Sequence, residues 1–295
     1  MKGVGNVLIL IVFLLVLTIN IQSSSAAPIA NCTIINSADT YTLTQDIVNS
    51  PNTTCIDIQA SNVIIDCDGH MIDGTDSLST YGIHTNGYNS IEVKNCLVRD
   101  WADGIYLESS NSHNISSTIT RSNQGRGIHV TSVTGSIFEN VTSDTNIGHG
   151  LYLTGSSNNN LTNVNASDGI NYGILMDASS DNNIVKDSIT NANNVNGLGV
   201  ESSSGCKIIN TTINNNTIHG LQLHYATNTN VTGSTIISNS NQGARLTYSQ
   251  NCWIKDTVIE NSGGNEIYSD ASSSMDNYLL NLTFNKSDVS VDNSA

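Results

Sequence analysis

Four ring-bearing side chains recur at nearly constant spacing along the sequence: His84, Tyr106, His129 and Tyr152. The differences between their residue numbers are 22, 23 and 23. An exposed aromatic ring can stack on a sugar, because a sugar ring offers an apolar face with a polar rim. The row therefore indicates carbohydrate binding along one surface. The competing interpretation is that tyrosine is simply favoured on β-sheets.

A second row of side chains could carry out acid–base or metal chemistry. It consists of Asp177, Glu201, His224 and Arg245, at intervals of 24, 23 and 21 residues. Two stacked carboxylates beside a histidine could bind a divalent cation or raise the pKa of one carboxyl. A nearby arginine could neutralise the carboxylate of a uronate sugar. An acidic protein also places Asp beside Glu on a solvated surface, so catalysis at this row is the alternative, and no metal site or cofactor is assigned.

Both rows belong to a repeat that runs through most of the chain. A glycine followed by an apolar, a variable and an apolar residue recurs at intervals of 22 to 24 residues. The repeat glycines are Gly82, Gly104, Gly127, Gly150, Gly173, Gly197, Gly220 and Gly243. A fixed period of this size is typical of a solenoid, and alternating apolar residues with turn formers leave no room for a helix. The sequence predicts an all-β, single-stranded parallel β-helix of about ten coils of ~23 residues.

The alternation also predicts which side chains enter the interior. A second apolar segment follows each glycine by about ten residues. Its interior residues are predicted to be Ile115, Ile137, Leu161, Ile184, Ile208, Val231 and Ile254. Each glycine is expected at a tight corner, where a side chain would clash or φ must be positive. The many asparagines are expected at turns, where their amides can stack into ladders between coils about 4.8 Å apart.

Composition and the first residues bear on location and partners. The 295 residues carry a formal net charge of −15, which disfavours nucleic acid and anionic membranes as partners. Residues 7–21 are almost entirely apolar and small residues follow, which is typical of a signal peptide. The protein is therefore predicted to be secreted or at the cell surface, with no membrane span after cleavage. Asn-X-Ser/Thr sites are no more frequent than chance, and glycosylation stays open.

The same observations give a domain organisation. We predict a signal peptide over residues 1–26, an N-terminal cap segment over 27–61, the β-helix over 62–284, and a C-terminal tail over 285–295 that leads to further domains.

An exported chain can oxidise its six cysteines. Cys32 and Cys55 flank the segment before the regular coils, and we predict that they form a disulfide. Cys67 and Cys96 lie in neighbouring coils and are predicted to form a second. The two remaining cysteines, Cys206 and Cys252, are two coils apart, farther than the roughly 7 Å that a disulfide can span.

The segments "SNVIIDCDGHMIDGT" and "YGIHTNGYNSIEVKNCLVRDWADGIYLESS" resemble the right-handed parallel β-helix repeats of secreted and surface proteins, especially archaeal ones. The resemblance covers the chain from about residue 40 onward and implies the fold. Similar repeats occur in pectate-lyase-like and epimerase-like enzymes, in adhesins, and in the periplasmic accessory protein of nitrous-oxide reductase copper-site assembly. The fold alone does not decide among these functions.

Three functions follow from these observations. The first is a non-enzymatic structural and recognition module that binds a polysaccharide or a surface protein along an exposed sheet face. The second is a polysaccharide lyase, epimerase or hydrolase, although the nearly uniform coils leave no long loop to enclose a cleft. The third is copper-site assembly, which is disfavoured because the methionines that could bind copper(I) are scattered.

Overall fold

The computed structural model describes residues 26–270, 274–284 and 289–292, and within them every regular element is a β-strand. The strands form three parallel sheets, and each regular coil contributes one short strand to each sheet. The chain completes about 11 turns of ~23 residues, so the predicted all-β parallel β-helix is confirmed. The predicted signal peptide lies outside the described residues apart from Ala26.

Sheets A and B each contain twelve strands, and sheet C contains nine. Sheet A consists of β1 (Ala27–Ile29), β3 (Thr40–Leu43), β5 (Ile64–Asp66), β8 (Glu92–Lys94), β11 (Asn114–Ser116), β14 (Ile137–Glu139), β17 (Asn160–Thr162), β20 (Ile184–Lys186), β23 (Lys207–Ile209), β26 (Asn230–Thr232), β29 (Trp253–Lys255) and β32 (Tyr278–Leu280). Sheet B consists of β2 (Thr33–Ile35), β4 (Thr54–Ile58), β7 (Tyr81–Asn86), β10 (Asp103–Glu108), β13 (Ile128–Thr131), β16 (Leu151–Thr154), β19 (Ile174–Asp177), β22 (Leu198–Glu201), β25 (Leu221–His224), β28 (Ala244–Thr247), β31 (Ile267–Asp270) and β33 (Val289–Asp292). Sheet C consists of β6 (Met71–Asp73), β9 (Leu97–Arg99), β12 (Ile119–Arg121), β15 (Thr142–Asp144), β18 (Asn165–Ser167), β21 (Ile189–Asn191), β24 (Thr212–Asn214), β27 (Thr235–Ile237) and β30 (Val258–Glu260).

Strands of the predicted cap and tail also pair with the solenoid. From the segment 27–61, β3 pairs with β5, and β4 pairs with β7. Near the other end, β33 pairs with β31. The proposed domain boundaries themselves stay predictions.

The interior of the solenoid is a stack of aliphatic side chains. Five of the seven predicted interior residues of sheet A are fully buried, namely Ile115, Leu161, Ile208, Val231 and Ile254. The prediction was wrong at Ile137, which is 46% exposed, and at Ile184, which is half-buried. Their neighbours Phe138 and Val185 are buried instead, because Ile115 pairs with Phe138 and Leu161 pairs with Val185 across the sheet.

The repeat glycines are required by close packing. A Cβ atom on Gly104 would lie 2.7 Å from the carbonyl oxygen of Gly127 and 2.9 Å from the Nδ2 atom of Asn123. No repeat glycine has positive φ, so the steric part of the prediction holds and the conformational part does not. The left-handed corners are occupied mostly by Asn, Ser and Asp.

The predicted asparagine ladders are confirmed, and they are buried. The backbone N–H of Asn193 donates to Oδ1 of Asn216, and the backbone N–H of Asn216 donates to Oδ1 of Asn239, each over 3.0 Å. The side-chain amides repeat the pattern, since Nδ2 of Asn216 donates to Oδ1 of Asn239 over 3.0 Å. Each asparagine thus satisfies a buried backbone donor one coil away, which would otherwise cost about 1–3 kcal/mol.

Both predicted disulfides form. The Sγ–Sγ distances are 2.08 Å for Cys32–Cys55 and 1.97 Å for Cys67–Cys96. Cys206 and Cys252 are free and buried, as expected from their separation. Burial raises the pKa of the Cys206 thiol to about 11, so this group stays protonated and is an unreactive part of the core.

Candidate functional site

The predicted row of rings lies on the outer face of sheet B, on the adjacent strands β7, β10, β13 and β16. We call His84, Tyr106, His129 and Tyr152 the ring ladder. Successive ring centroids are 5.4, 4.4 and 5.5 Å apart, with interplanar angles of 30°, 14° and 24°. The rings are therefore stacked on one another along the solenoid axis. Strand pairing places the rings next to one another, because Tyr106 pairs with His84 and with His129, and His129 pairs with Tyr152.

This stacking changes how the ladder could contact a sugar. The faces of Tyr106 and His129 are covered by neighbouring rings, so a ligand meets their edges. The phenol oxygen of Tyr106 lies at its edge, whereas both nitrogens of His129 are engaged, one by Asp103 and the other by the hydroxyl of Thr131. Burial raises the pKa of Tyr81 and of Tyr106 above the usual value, so both hydroxyls remain protonated and can donate hydrogen bonds. Carbohydrate binding by the ladder stays a prediction, but hydrogen bonding from ring edges replaces face stacking as its physical basis.

A second column of side chains runs beside the ladder and was missed from the sequence. It is formed by the residue before each of the first five repeat glycines: Tyr81, Asp103, Arg126, His149 and Tyr172. In these five coils the residue before the glycine is in turn a tyrosine, an acid, a base, a histidine and a tyrosine. That run was a readable signal, but these residues precede the corner, where alternation does not assign a face.

Asp103 connects this column to the ladder. Its Oδ2 atom lies 3.0 Å from Nδ1 of His129 and 3.7 Å from a guanidinium nitrogen of Arg126. The backbone N–H of Arg126 donates to the other carboxylate oxygen over 2.9 Å. The guanidinium lies 5.2 Å from the ring centroid of Tyr152, within the range of a cation–π contact. The carboxylate is almost fully buried, so it fixes both the imidazole and the arginine.

His149 provides an uncharged imidazole next to this cluster. Its ring lies 4.9 Å from that of Tyr152 and 5.6 Å from that of Tyr172. Burial, with smaller contributions from Arg126 and His129, lowers the pKa of His149 to about 4. The side chain is therefore neutral near pH 7. Its Nδ1 atom is buried and has no hydrogen-bond partner among the described residues.

The candidate surface is bounded at both ends. At one end a surface pocket of about 420 Å³ is lined by residues that include Asp57, Tyr81 and His84. At the other end the hydroxyl of Tyr172 donates to the carboxylate of Glu201 over 2.7 Å. Tyr172 lies across Gly199, where an added Cβ would be 2.7 Å from its ring. Burial and this hydrogen bond raise the pKa of Tyr172 far above its usual value.

The predicted acid–base row lies on the successive strands β19, β22, β25 and β28. Its two carboxylates and its histidine form hydrogen bonds with residues outside the row rather than with one another. Glu201 accepts from Tyr172, and Asp177 lies 3.5 Å from the hydroxyl of Tyr152. His224 hydrogen-bonds to the hydroxyl of Thr247 over 2.7 Å. Within the described part of the chain no group of three ligating side chains could hold a metal ion. A catalytic role for Asp177, Glu201, His224 and Arg245 stays a prediction.

Comparison with known proteins identifies the fold family. The family model for the right handed beta helix region matches residues 81–236, which is more than half of the chain. The chain belongs to this right-handed β-helix family. The repeats and the three parallel sheets agree with it. No curated protein matches the chain in sequence.

Two solved β-helix structures illustrate the likeness. The A-module of a mannuronan C-5 epimerase from Azotobacter vinelandii aligns with 83% of this chain and 76% of its own, with 15% identity and a TM-score of 0.68. A periplasmic alginate epimerase aligns with 85% of this chain and 70% of its own, with 12% identity and a TM-score of 0.71. At these identities the likeness shows the fold alone. The resemblance to archaeal surface proteins and to the copper-site accessory protein stays untested.

Among the described residues, no helix is both long enough and apolar enough to span a bilayer.

Proposed function

We propose that this β-helix is a secreted or cell-surface module that binds carbohydrate along the ring ladder. The observation that carries the proposal is the continuous row of stacked rings, whose polar edges extend from the pocket at Tyr81 to the Tyr172–Glu201 contact. Protonated phenols and one guanidinium can hydrogen-bond to sugar hydroxyls or carboxylates. The two disulfides agree with an oxidising compartment.

The chemistry of the ladder favours an acidic sugar. Arg126 is half-exposed beside the ladder, and its fixed fork matches a carboxylate. Two structures with the same fold are named as epimerases of mannuronan and alginate, which are uronate polymers. A ligand of this class agrees with both observations. Because the rungs repeat, affinity is expected to increase with the length of the oligosaccharide.

Removing two ladder hydroxyls tests this proposal without removing the rings. The double variant Tyr106→Phe, Tyr152→Phe keeps the stacking and deletes two donors. We expect its affinity for mannuronate oligosaccharides to fall by about 1–3 kcal/mol, the scale of two lost hydrogen bonds. Isothermal titration with oligosaccharides of increasing length measures the effect. Trp253→Phe, an exposed position on sheet A, is the control and should bind normally. Unchanged affinity in the double variant, or no dependence on length, would remove the ladder as the binding site.

A second function is supported by a specific observation, the arrangement of His149, Arg126 and the Asp103–His129 pair. A neutral imidazole can accept the proton on the carbon next to a uronate carboxylate, and an arginine can stabilise the negative charge that develops there. This chemistry is common to lyases and epimerases, so we retain such an enzyme as the alternative to a binding module.

The enzymatic alternative has its own test. Incubation with polymannuronate, followed by proton NMR, distinguishes an unsaturated product from an epimerised one and from unchanged polymer. If activity is present, His149→Gln is expected to lower it by about 100-fold or more, the usual contribution of a general base. The control His224→Gln should retain it. Loss of activity with EDTA, or with His224→Gln, would instead place the chemistry at the row Asp177, Glu201 and His224.

A further inference from the structure

Two tyrosines occupy a position where the six preceding coils have glycine, serine or alanine. The first residue after the sheet B strand has positive φ in eight successive coils. It is Gly87, Ser109, Ser132, Gly155, Ala178, Ser202, Tyr225 and Tyr248 in turn. The φ angles of Tyr225 and Tyr248 are 49° and 54°. A bulky side chain in the left-handed region is a real outlier, with a cost of order 1–3 kcal/mol, and such residues cluster at ligand sites.

The two rings do not contribute to the core. They are 52% and 45% exposed, and they stack on each other with centroids 4.7 Å apart and an interplanar angle of 10°. The imidazole of His224 meets them edge-on, at 4.6 Å from Tyr225 and 5.7 Å from Tyr248. Its hydrogen bond to Thr247 fixes that imidazole. The pair is thus held in place at the surface without being buried.

Among the described residues, the ring of Tyr225 is stacked on an aromatic neighbour on one side only, which distinguishes it from the ring ladder. In the ladder the faces of Tyr106 and His129 are covered by rings on both sides. The ring contacts of Tyr225 are with Tyr248 on one side and with the edge of His224. On its other side the column continues with Ser202, whose side chain is too small to cover a six-membered ring.

The chain around Tyr225 is free of charged side chains over a long stretch. Residues 208–244 contain no Lys, Arg, Asp or Glu. The nearby exposed side chains are amides, among them Asn228, Gln250 and Asn251. Glu201, which precedes Ser202, is engaged by the hydroxyl of Tyr172. Amides can donate to sugar hydroxyls and accept from them. The nearest charges in the adjacent coils are the carboxylates of Glu201 and of Asp181, which accepts the backbone N–H of Ser204 over 2.7 Å, and they disfavour a uronate.

We propose that the outer face of Tyr225, above Ser202, is a second carbohydrate site and that it takes a neutral sugar ring. The apolar face of a pyranose would stack on the phenol ring in the place that a further tyrosine would occupy in the column. Successive coils are about 4.8 Å apart, close to the ring spacing of the tyrosine pair, so the vacant step accommodates one ring. The site is on the corner between sheets B and A and is separate from the ring ladder.

The experiment titrates neutral hexasaccharides against the whole protein. Cellohexaose, mannohexaose and laminarihexaose serve as probes, and the ring signals of carbon-13-labelled tyrosines report binding by NMR. We expect at least one probe to shift the signals of Tyr225 and Tyr248 in a saturable manner. Tyr225→Ser removes the platform and should weaken that binding about tenfold or more. Ser202→Tyr fills the vacant step and should weaken it similarly while Tyr225 is still present.

Controls separate this site from the ladder and from a structural role. The variant Tyr106→Phe, Tyr152→Phe should bind the neutral probe as the parent does, so failure of the ladder proposal leaves this test intact. Because serine stands at the same corner in three other coils, Tyr225→Ser should melt at the parental temperature or above it. The proposal is overturned if no probe shifts the two tyrosines, if either Tyr225→Ser or Ser202→Tyr binds as the parent does, or if Tyr225→Ser melts well below the parent.

Discussion

Replacement of Phe138 by aspartate is expected to abolish folding, whereas the same replacement at the adjacent Ile137 is expected to leave the protein folded. Phe138 is fully buried in the stack of apolar side chains, while Ile137 is 46% exposed on the outer face of β14. An unpaired carboxyl in a dry interior costs several kcal/mol, and the lost packing of the phenyl ring costs about 3–5 kcal/mol more. Together they are comparable to the roughly 5–15 kcal/mol that stabilises a typical domain. At an exposed site the cost is usually within about 0.5 kcal/mol.

Circular dichroism and a thermal melt of both variants measure this contrast. Phe138→Asp should show no cooperative transition, and Ile137→Asp should melt close to the parent. Leu153→Asp, on sheet B, should likewise show no cooperative transition, because Leu153 is also fully buried. If Ile137→Asp were the damaging change and Phe138→Asp were tolerated, the register of β14 would be reversed.

Acidification from about pH 7 to pH 4 is expected to destabilise the protein through buried histidines. Burial lowers the pKa of His113, His149 and His219 to about 4 in each case. In the unfolded chain a histidine has a pKa of about 6.5. Between these values the unfolded state binds more protons than the folded state, so stability is complete above about pH 6.5 and is lost as the pH falls toward 4. For the fully buried His113 the loss is about 3 kcal/mol.

His113 offers a matched variant for this test. Its Nδ1 accepts the backbone N–H of Ile91 over 3.2 Å, so its Nε2 carries the proton and donates to the hydroxyl of Ser110 over 2.7 Å. In later coils an asparagine at the same position accepts the corresponding backbone N–H, as Asn159 accepts that of Ser136. His113→Asn should therefore fold and should lose about 3 kcal/mol less stability between pH 7 and pH 4. Urea unfolding at several pH values measures the difference, and parallel curves for the two proteins would contradict the assignment.

The period of the sequence was sufficient for the fold, but it did not fix the register of every strand. Gly104 and its equivalents recur because any side chain there would overlap the next coil. A glycine at a fixed interval can be recognised directly in a sequence. At Ile137–Phe138 and Ile184–Val185 two apolar residues are adjacent, so alternation alone does not say which one points inward. Pairing with Ile115 and Leu161 decides it, and such pairing depends on the lengths of the corners.

The candidate site was only partly legible for a different reason. The members of the ring ladder could be listed, since they follow the repeat glycines on a strand of known alternation. The orientation of their rings could not, because face stacking between coils depends on side-chain torsions rather than on spacing. Arg126 and His149 were missed because they lie at a corner, which has no period of two. Asp103 was missed because it begins β10 just before the repeat glycine, where the alternation is interrupted. The contact between Asp103 and His129 joins residues 26 positions apart, and it appears only once the coils are in register.

The position of the disulfides gives the molecule a mechanical polarity. Both cross-links join residues within the first 96 positions, whereas the cysteines farther along, Cys206 and Cys252, remain free. In a solenoid each coil is held mainly by its two neighbours, so separation can start at either end and travel coil by coil. The cross-linked coils resist this separation, so we expect the coils after Cys96 to open more readily than those before it. A protease acting on partly opened molecules should therefore cut after residue 96 before it cuts the cross-linked coils.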